Sequence, residues 1–229
     1  MKKVLILTMS TGGGHNEVAR NLRIGFEKSG YEVAVMNSLE IAHPDVDTVV
    51  SKSYSLLADK LPTLYGKLYY GCNHKPAKEV IASTLTTISS RRNHAVVKDY
   101  QPDLIIATHP FPVPIIAGLK KRAKIKVPLI SIITDFFPNS LYIDSGVDAY
   151  IVGSYYTKKS LVSFGIPRDK IFAYGIPIKE EFYSAPTLPK SHETLNLLLA
   201  GGSMGMSGIE TILEEMINLD ERYHISVLC

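Results

Sequence analysis

The sequence contains no tryptophan and only two cysteines in 229 residues. Cys72 and Cys229 lie far apart along the chain, so they cannot build the disulfide framework or the structural metal site that stabilises many small domains. This sparse cysteine usage fits a reducing cytoplasm. No segment approaches the roughly 20 consecutive apolar residues that a membrane-spanning helix requires. The apolar run 4–7 follows two lysines but is short and soon meets glycines, so we do not expect a signal peptide there.

The sequence also lacks a large excess of charge of either sign. Lysine and arginine total 25, and aspartate and glutamate total 22, which gives a net charge of +3 at pH 7. So weak a basic excess does not predict nucleic-acid binding, although it permits contact with an anionic membrane surface. The chain is 45% hydrophobic and 21% charged. This composition excludes wholesale disorder and predicts one globular domain plus a remainder.

What the sequence does contain is an alternation of short apolar runs with helical stretches. We predict strands at residues 4–8, 31–36, 104–108, 127–134, 149–152 and 171–174. We predict helices at 15–29, 113–123 and 155–164, and a mainly helical region from about 47 to 100 that is interrupted at Pro62 and near Pro76. This alternation indicates an α/β fold with a parallel sheet covered on both faces. Such sheets bind ligands at the carboxyl ends of their strands.

The composition changes around residues 176–194, where prolines and small polar residues indicate a linker. After the linker the alternation restarts, with a strand at 196–200, a helix at about 206–218 and a strand at 224–228. A single βαβ unit of this length buries too little surface to be a domain by itself. We therefore expect an α/β domain at 1–180, a linker at 181–194, and the first βαβ portion of a second, truncated α/β domain at 195–229.

A glycine loop separates the first strand from the first helix and ends in a histidine: Gly12, Gly13, Gly14 and His15. Glycines let the backbone approach a ligand closely, and the helix N-terminus supplies free amides and positive potential. No Gly-Lys-Ser/Thr follows, so the loop is not a P-loop. Glu17 stands where the third glycine of a dinucleotide fingerprint belongs, which disfavours an NAD site. The loop predicts a functional site, with a simple strand-to-helix turn as the alternative.

Three side chains are candidates for the chemistry at the strand ends. His15 is the candidate general base, because a histidine at a helix N-terminus tends to remain neutral. A purely structural histidine at the helix cap is the alternative. His109 and Asp135 each follow a predicted strand, on the edge where ligands bind. For His109 the alternative is support of a proline-fixed turn, and for Asp135 it is a capping carboxylate.

A second glycine loop follows the strand at 196–200. It contains Gly201, Gly202, Ser203, Met204 and Gly205. Its amides and hydroxyls have the chemistry to cradle a diphosphate at the start of the next helix. Two such loops, each at the first strand-to-helix junction of its own α/β unit, predict two facing domains with a ligand between them.

Five motifs, taken together, resemble a known family. They are Thr11-Gly12-Gly13-Gly14-His15, Thr108-His109-Pro110, Thr134-Asp135, Gly175-Ile176-Pro177-Ile178 and Gly201-Gly202-Ser203-Met204-Gly205. Over essentially the whole chain they resemble the monogalactosyldiacylglycerol synthases and the bacterial processive diacylglycerol glucosyltransferases. The resemblance implies the GT-B architecture of two Rossmann-like domains. The first of these would hold the acceptor and touch the membrane, and the second would bind the nucleotide sugar.

The resemblance also implies roles for named residues. His15 would remove the proton from the acceptor hydroxyl as that hydroxyl attacks the anomeric carbon. Residues 12–14 would bring amides near the sugar and phosphates, and residues 201–205 would receive the diphosphate. His109 and Asp135 would lie on the acceptor side. An inverting displacement of this kind needs no metal or other cofactor, because oriented amides can stabilise the leaving group.

The pattern of residues in the segment 54–70 suggests membrane contact. Aromatic and aliphatic residues alternate there with lysines, and the candidate contacts are Tyr54, Leu61, Leu64, Tyr65, Lys67 and Tyr69. Such a pattern suits a segment that dips into the headgroup region. A helix packed on the core with its lysines outward is the alternative.

These observations favour one function and leave two others open. The favoured function is an inverting hexosyltransferase, peripheral at the cytoplasmic face of a membrane, that uses a UDP-sugar and a diacylglycerol-type lipid. The first alternative is a non-catalytic lipid- or nucleotide-binding module. The second is a nucleotide-dependent oxidoreductase, which is disfavoured because the dinucleotide-binding fingerprint is incomplete.

Overall fold

The computed structural model describes residues 1–9, 13–42, 61–71, 73–184, 194–201, 208–217 and 223–228. Its first part contains six strands: β1 Lys3–Thr8, β2 Glu32–Asn37, β3 Leu104–Ala107, β4 Leu129–Ile133, β5 Ala149–Val152 and β6 Ile171–Phe172. Within the described residues six helices accompany them: α1 Gly13–Lys28, α2 Ser38–Ala42, α3 Pro62–Gly71, α4 Lys75–Tyr100, α5 Pro112–Lys121 and α6 Tyr155–Ser163. Short 3-10 turns lie at Ser140–Tyr142, Arg168–Lys170 and Glu180–Phe182.

The six strands form one sheet in the order β2-β1-β3-β4-β5-β6, and every neighbouring pair is parallel. Leu5 of β1, for example, lies between Ala34 of β2 and Ile105 of β3. The order of the strands reverses between β1 and β3. At such a switch point the loops after neighbouring strands turn to opposite faces of the sheet and leave a crevice for a ligand.

Strand β1 shows how the sheet is buried on both faces, because its side chains alternate between two apolar clusters. Leu5 and Leu7 belong to the cluster that contains residues of α4 and α5. Val4 and Ile6 belong to the cluster that contains Val18 of α1. All four strand residues are at most 1% exposed. The predicted parallel sheet with helices on both faces is therefore confirmed.

The two prolines of the helical region begin helices. Pro62 is the first residue of α3, and Pro76 lies in the first turn of the 26-residue helix α4. Proline fits a first helical turn because its fixed backbone angle suits the helix and the amide it lacks would have no partner there. The predicted interruptions are thus helix starts.

A second, two-stranded sheet lies in the last part of the chain. It consists of the strands β7 Leu195–Ala200 and β8 Tyr223–Leu228, with the helix α7 Ile209–Ile217 between them in sequence. The strands are parallel, with Leu197 opposite Ile225. These elements agree with the predicted strand, helix and strand, whereas the division into two domains and a linker stays a prediction.

Within the described ranges, no helix combines the length and the apolar character needed to cross a bilayer. The longest helix, α4, shows why. It carries charged residues at intervals from Lys78 to Asp99, and the burial of so many charges in hydrocarbon is costly.

Candidate active site

The candidate site lies at the carboxyl ends of three adjacent strands. His15 occupies the first turn of α1, directly after the loop that follows β1. Thr108 follows β3, and Thr134 follows β4. Because β1, β3 and β4 are neighbours in one parallel sheet, residues that are 93 and 119 positions from His15 in sequence come into contact with it.

One nitrogen of the His15 ring meets both of these partners. Its Nδ1 atom lies 2.9 Å from the backbone oxygen of Thr108 and 2.8 Å from Oγ1 of Thr134. A carbonyl oxygen can only accept a hydrogen bond, so Nδ1 must carry the proton in the neutral ring. The lone pair then resides on Nε2, which is the arrangement a general base requires.

His109 lies behind His15. The two rings meet edge to face, with centroids 4.6 Å apart and planes at 73°. His109 is 5% exposed, and its Nδ1 accepts a hydrogen bond from the backbone N–H of Phe111 at 3.2 Å. Burial, together with the nearby His15, lowers the pKa of His109 well below its usual value. His109 therefore remains neutral and supports the first histidine from within the protein.

A cavity of about 550 Å³ opens beside His15. Its wall comprises the first turn of α1, the strand end at Thr134 and Asp135, and the segment 176–179. A Cβ atom at Gly14 would meet no atom of the described residues within 4 Å, so this part of the wall is open to a ligand. The N-terminal amides of α1 provide positive potential there, which suits a phosphate or a developing oxyanion.

A polar network along the same cavity joins α1 to segment 176–179. Its carboxylate is Glu17, whose pKa is lowered chiefly by a hydrogen bond from Arg20, with N–O distances of 2.8 and 3.1 Å. Lys179 Nζ lies 3.9 Å from the same carboxylate. Asn21 donates to the backbone oxygen of Pro177 at 3.3 Å. The chain that leaves β6 is therefore anchored on α1, close to His15.

Several of the predicted site residues lie within the described part of the chain. Gly13 and Gly14 begin α1, and Asp135 lines the cavity beside Thr134. Gly201 follows β7, and its amide donates to the oxygen of Leu228 at 3.4 Å. Five further candidates lie outside the described residues: Gly12, Gly202, Ser203, Met204 and Gly205.

Apart from Tyr54, the membrane-contact candidates lie on α3 or directly before it. Leu61 is 51% exposed, Leu64 is 44% exposed, and Lys67 is also exposed. Tyr65 and Tyr69 belong to α3, but their side chains lie outside the described part of the structure, as does the whole of Tyr54. The exposed leucines place apolar surface on this segment, whereas membrane contact stays a prediction.

Sequence reasoning missed most of the residues that surround His15. Thr108 and Thr134 belong to the motifs, but no role was predicted for them, because a sequence does not reveal which strands are neighbours. Glu17 was noted only as a departure from a dinucleotide fingerprint. Lys179 directly follows the motif at 175–178. That position in the sequence was the one feature that could have indicated its place near the site.

The parallel sheet, the switch-point cavity and the helix N-terminus together define a Rossmann-like domain of the GT-B type. MurG of Acinetobacter baumannii shares this fold, with a TM-score of 0.55 and 11% identity over 100% of this chain and 66% of that chain. The UDP-GlcNAc 2-epimerase of Neisseria meningitidis, solved with UDP-GlcNAc, also shares it. Its TM-score is 0.51, with 13% identity over 100% of this chain and 65% of that chain.

The family follows from the sequence comparisons. Residues 15–178 match the family model of monogalactosyldiacylglycerol (MGDG) synthase, so the chain belongs to that family. It is 30% identical, over 241 aligned positions, to a processive diacylglycerol beta-glucosyltransferase of Bacillus cereus (strain 03BB102). The match covers 99% of this chain and 60% of that relative, so the chain spans about three fifths of the length of the curated relatives it matches.

Proposed function

We propose that the chain forms the acceptor side of an inverting hexosyltransferase that moves a hexose from a UDP-sugar to a diacylglycerol-type lipid. The observation that carries this proposal is the pair of contacts to Nδ1 of His15, from which its tautomer follows. Its Nδ1 is tied to Thr108 and Thr134, and its ring lines a cavity at the switch point of the sheet. A hydroxyl acceptor needs such a base, whereas simple nucleotide binding does not.

The reaction requires one proton transfer and one displacement. Nε2 of His15 takes the proton of the acceptor hydroxyl as its oxygen forms a bond to the anomeric carbon. The bond from that carbon to the diphosphate breaks, and UDP leaves with the electron pair. We propose that the amides of α1 and of residues 201–205 stabilise the charge that grows on the diphosphate, so that no metal is required.

The lipid acceptor is proposed from the family and from the surface of α3. The Bacillus cereus relative is named for diacylglycerol. Leu61 and Leu64 are exposed beside Lys67, and exposed leucines next to a lysine suit the boundary between headgroups and acyl chains of an anionic bilayer. We therefore propose peripheral contact with the cytoplasmic face of a membrane.

The test uses the protein expressed from its complete gene. It is incubated with radiolabelled UDP-glucose or UDP-galactose and with vesicles that contain diacylglycerol, and the lipid extract is analysed for labelled glycolipid. Labelled glycolipid of inverted anomeric configuration supports the proposal. Vesicle binding without any product would support the non-catalytic module instead, and consumption of NADH would revive the oxidoreductase.

A further inference from the structure

We propose, on the basis of the function proposed above, that the hydroxyl of Thr134 is a positioning group for the general base. Thr134 Oγ1 lies 2.8 Å from Nδ1 of His15, and the Thr108 oxygen lies 2.9 Å from the same nitrogen. The proton on Nδ1 is therefore shared between two acceptors that belong to two different strand ends. Two acceptors define the orientation of the ring more tightly than one.

The location of Thr134 makes it a rigid support. It directly follows β4, where Ile132 and Ile133 are at most 1% exposed and pair with β5 residues on one side. His15, in contrast, stands at the start of a helix next to a glycine loop. The hydroxyl thus ties the reacting ring to the middle of the sheet, and productive geometry depends on such support.

The same hydroxyl has a chemical use during the reaction. When Nε2 takes a proton, the ring becomes an imidazolium and both of its nitrogens are donors. The Nδ1 proton then bonds to Thr134 and Thr108 as a charge-assisted donor, which is a stronger interaction than that of the neutral ring. His109 remains neutral behind the ring, so it adds no opposing charge. Thr134 consequently stabilises the transition state more than the ground state.

Two substitutions separate this role from simple packing. Thr134→Val keeps the shape of the side chain but removes the hydroxyl, and Thr134→Ser keeps the hydroxyl but removes the methyl group. We expect Thr134→Val to lower kcat about 10- to 100-fold, as for the loss of a hydrogen bond to a charged group. The KM values for UDP-sugar and lipid should change less than about twofold, because the transition state is affected selectively. Thr134→Ser should restore most of kcat.

Thr8→Val is the matched control. Thr8 also ends a strand beside the site, and its hydroxyl donates to Asn16 at 2.9 Å. That contact does not involve His15, and Asn16 is exposed to solvent, so kcat should stay close to that of the wild type. Equal kcat for Thr134→Val and the wild type would overturn the role of Thr134, and so would a Ser variant as slow as the Val variant.

A spectroscopic measurement keeps this test independent of activity. In protein with ¹⁵N-labelled histidine, we expect the wild type and Thr134→Ser to show His15 protonated at Nδ1 with slow exchange of that proton. In Thr134→Val the proton should exchange faster with water. Unchanged exchange would overturn the positioning role even if no glycolipid is made. If glycolipid is made and only the exchange result fails, the proposed function remains.

Discussion

The first strands of the two sheets are both apolar, but their surroundings are very different. Strand β1 contains the run Val-Leu-Ile-Leu and strand β7 contains Leu-Asn-Leu-Leu-Leu, and each is followed in sequence by glycines and then by a helix. Leu5 of β1 is 0% exposed, whereas Leu198 of β7 is 68% exposed. Both runs form strands in parallel pairs. An apolar pattern thus determines the strand, and the neighbours of the strand determine how much of it is buried.

This difference explains why the described chemistry belongs to the first sheet. Full burial of a leucine side chain contributes about 1.5–3 kcal/mol, and nearly every residue of β1 has that environment. Side chains at the ends of such strands are held in fixed positions. In the second sheet, β7 and β8 are largely exposed, so the described residues provide no comparable support there.

The largest predicted effect compares two identical substitutions. Leu5→Ala should lower the free energy of unfolding by about 2–5 kcal/mol, because it leaves a cavity in a packed core. Leu198→Ala should change it by less than about 0.5 kcal/mol, because the leucine is already in contact with solvent. Urea unfolding of both variants measures the difference. Equal losses would show that the two sheets do not differ in burial as described.

A smaller effect depends on pH and compares two histidines. Burial lowers the pKa of His109 in the folded protein, while a histidine in the unfolded chain has a pKa of about 6.5. The unfolded state therefore binds the proton first as the pH falls. The stability that depends on neutral His109 is complete above about pH 6.5. It decreases by about 1.4 kcal/mol per pH unit below that value, until the pH reaches the pKa of the folded state.

Urea unfolding between pH 7 and pH 5 tests this expectation. His109→Gln should flatten the loss of stability with falling pH, whatever its effect on stability at pH 7. His224→Gln, at an exposed position of β8, is the matched control and should retain the wild-type slope. If the slope is the same in all three proteins, His109 is not the group that makes the fold sensitive to acid.

The smallest predicted effect concerns Asp148, which precedes β5. Burial alone would raise its pKa, but hydrogen bonds from Lys120 and from the Leu129 amide at 2.7 Å outweigh burial, so the pKa is lowered. Ionised Asp148 therefore stabilises the fold fully at a pH above the unfolded-state pKa of about 3.9. This stabilisation is lost as the pH falls through the folded-state pKa. Because the side chain is 52% exposed, Asp148→Asn should cost about 1 kcal/mol or less at pH 7.

Unfolding free energies at pH 7 and below pH 4 measure this contribution. The difference between Asp148→Asn and the wild type should shrink at the lower pH, where the wild-type carboxyl begins to be protonated. Glu215→Gln, at an exposed position on α7, should have no comparable effect at either pH. A difference that persists unchanged at low pH would show that the charge of Asp148 is not its cause.

The fold was more accessible from the sequence than the site was. The apolar runs located every strand of the first sheet to within two residues at both ends, because the strands are buried on both faces. The contact between His15 and Thr134 was not accessible, since it depends on β1, β3 and β4 being neighbours. Periodicity reports which face a residue occupies, and it contains no information on the order of parallel strands. The tautomer of His15 could be assigned only from the distances between its Nδ1 and the oxygens of Thr108 and Thr134.

The proposed function depends on His15 as the base of a glycosyl transfer at the edge of the first sheet. Its most direct test is the transfer rate of His15→Ala, expressed from the complete gene, with UDP-sugar binding measured on the same sample. We expect turnover to fall about 10²- to 10⁴-fold, as for the loss of a general base, while nucleotide binding stays nearly intact. Unchanged turnover with intact nucleotide binding would contradict the claim.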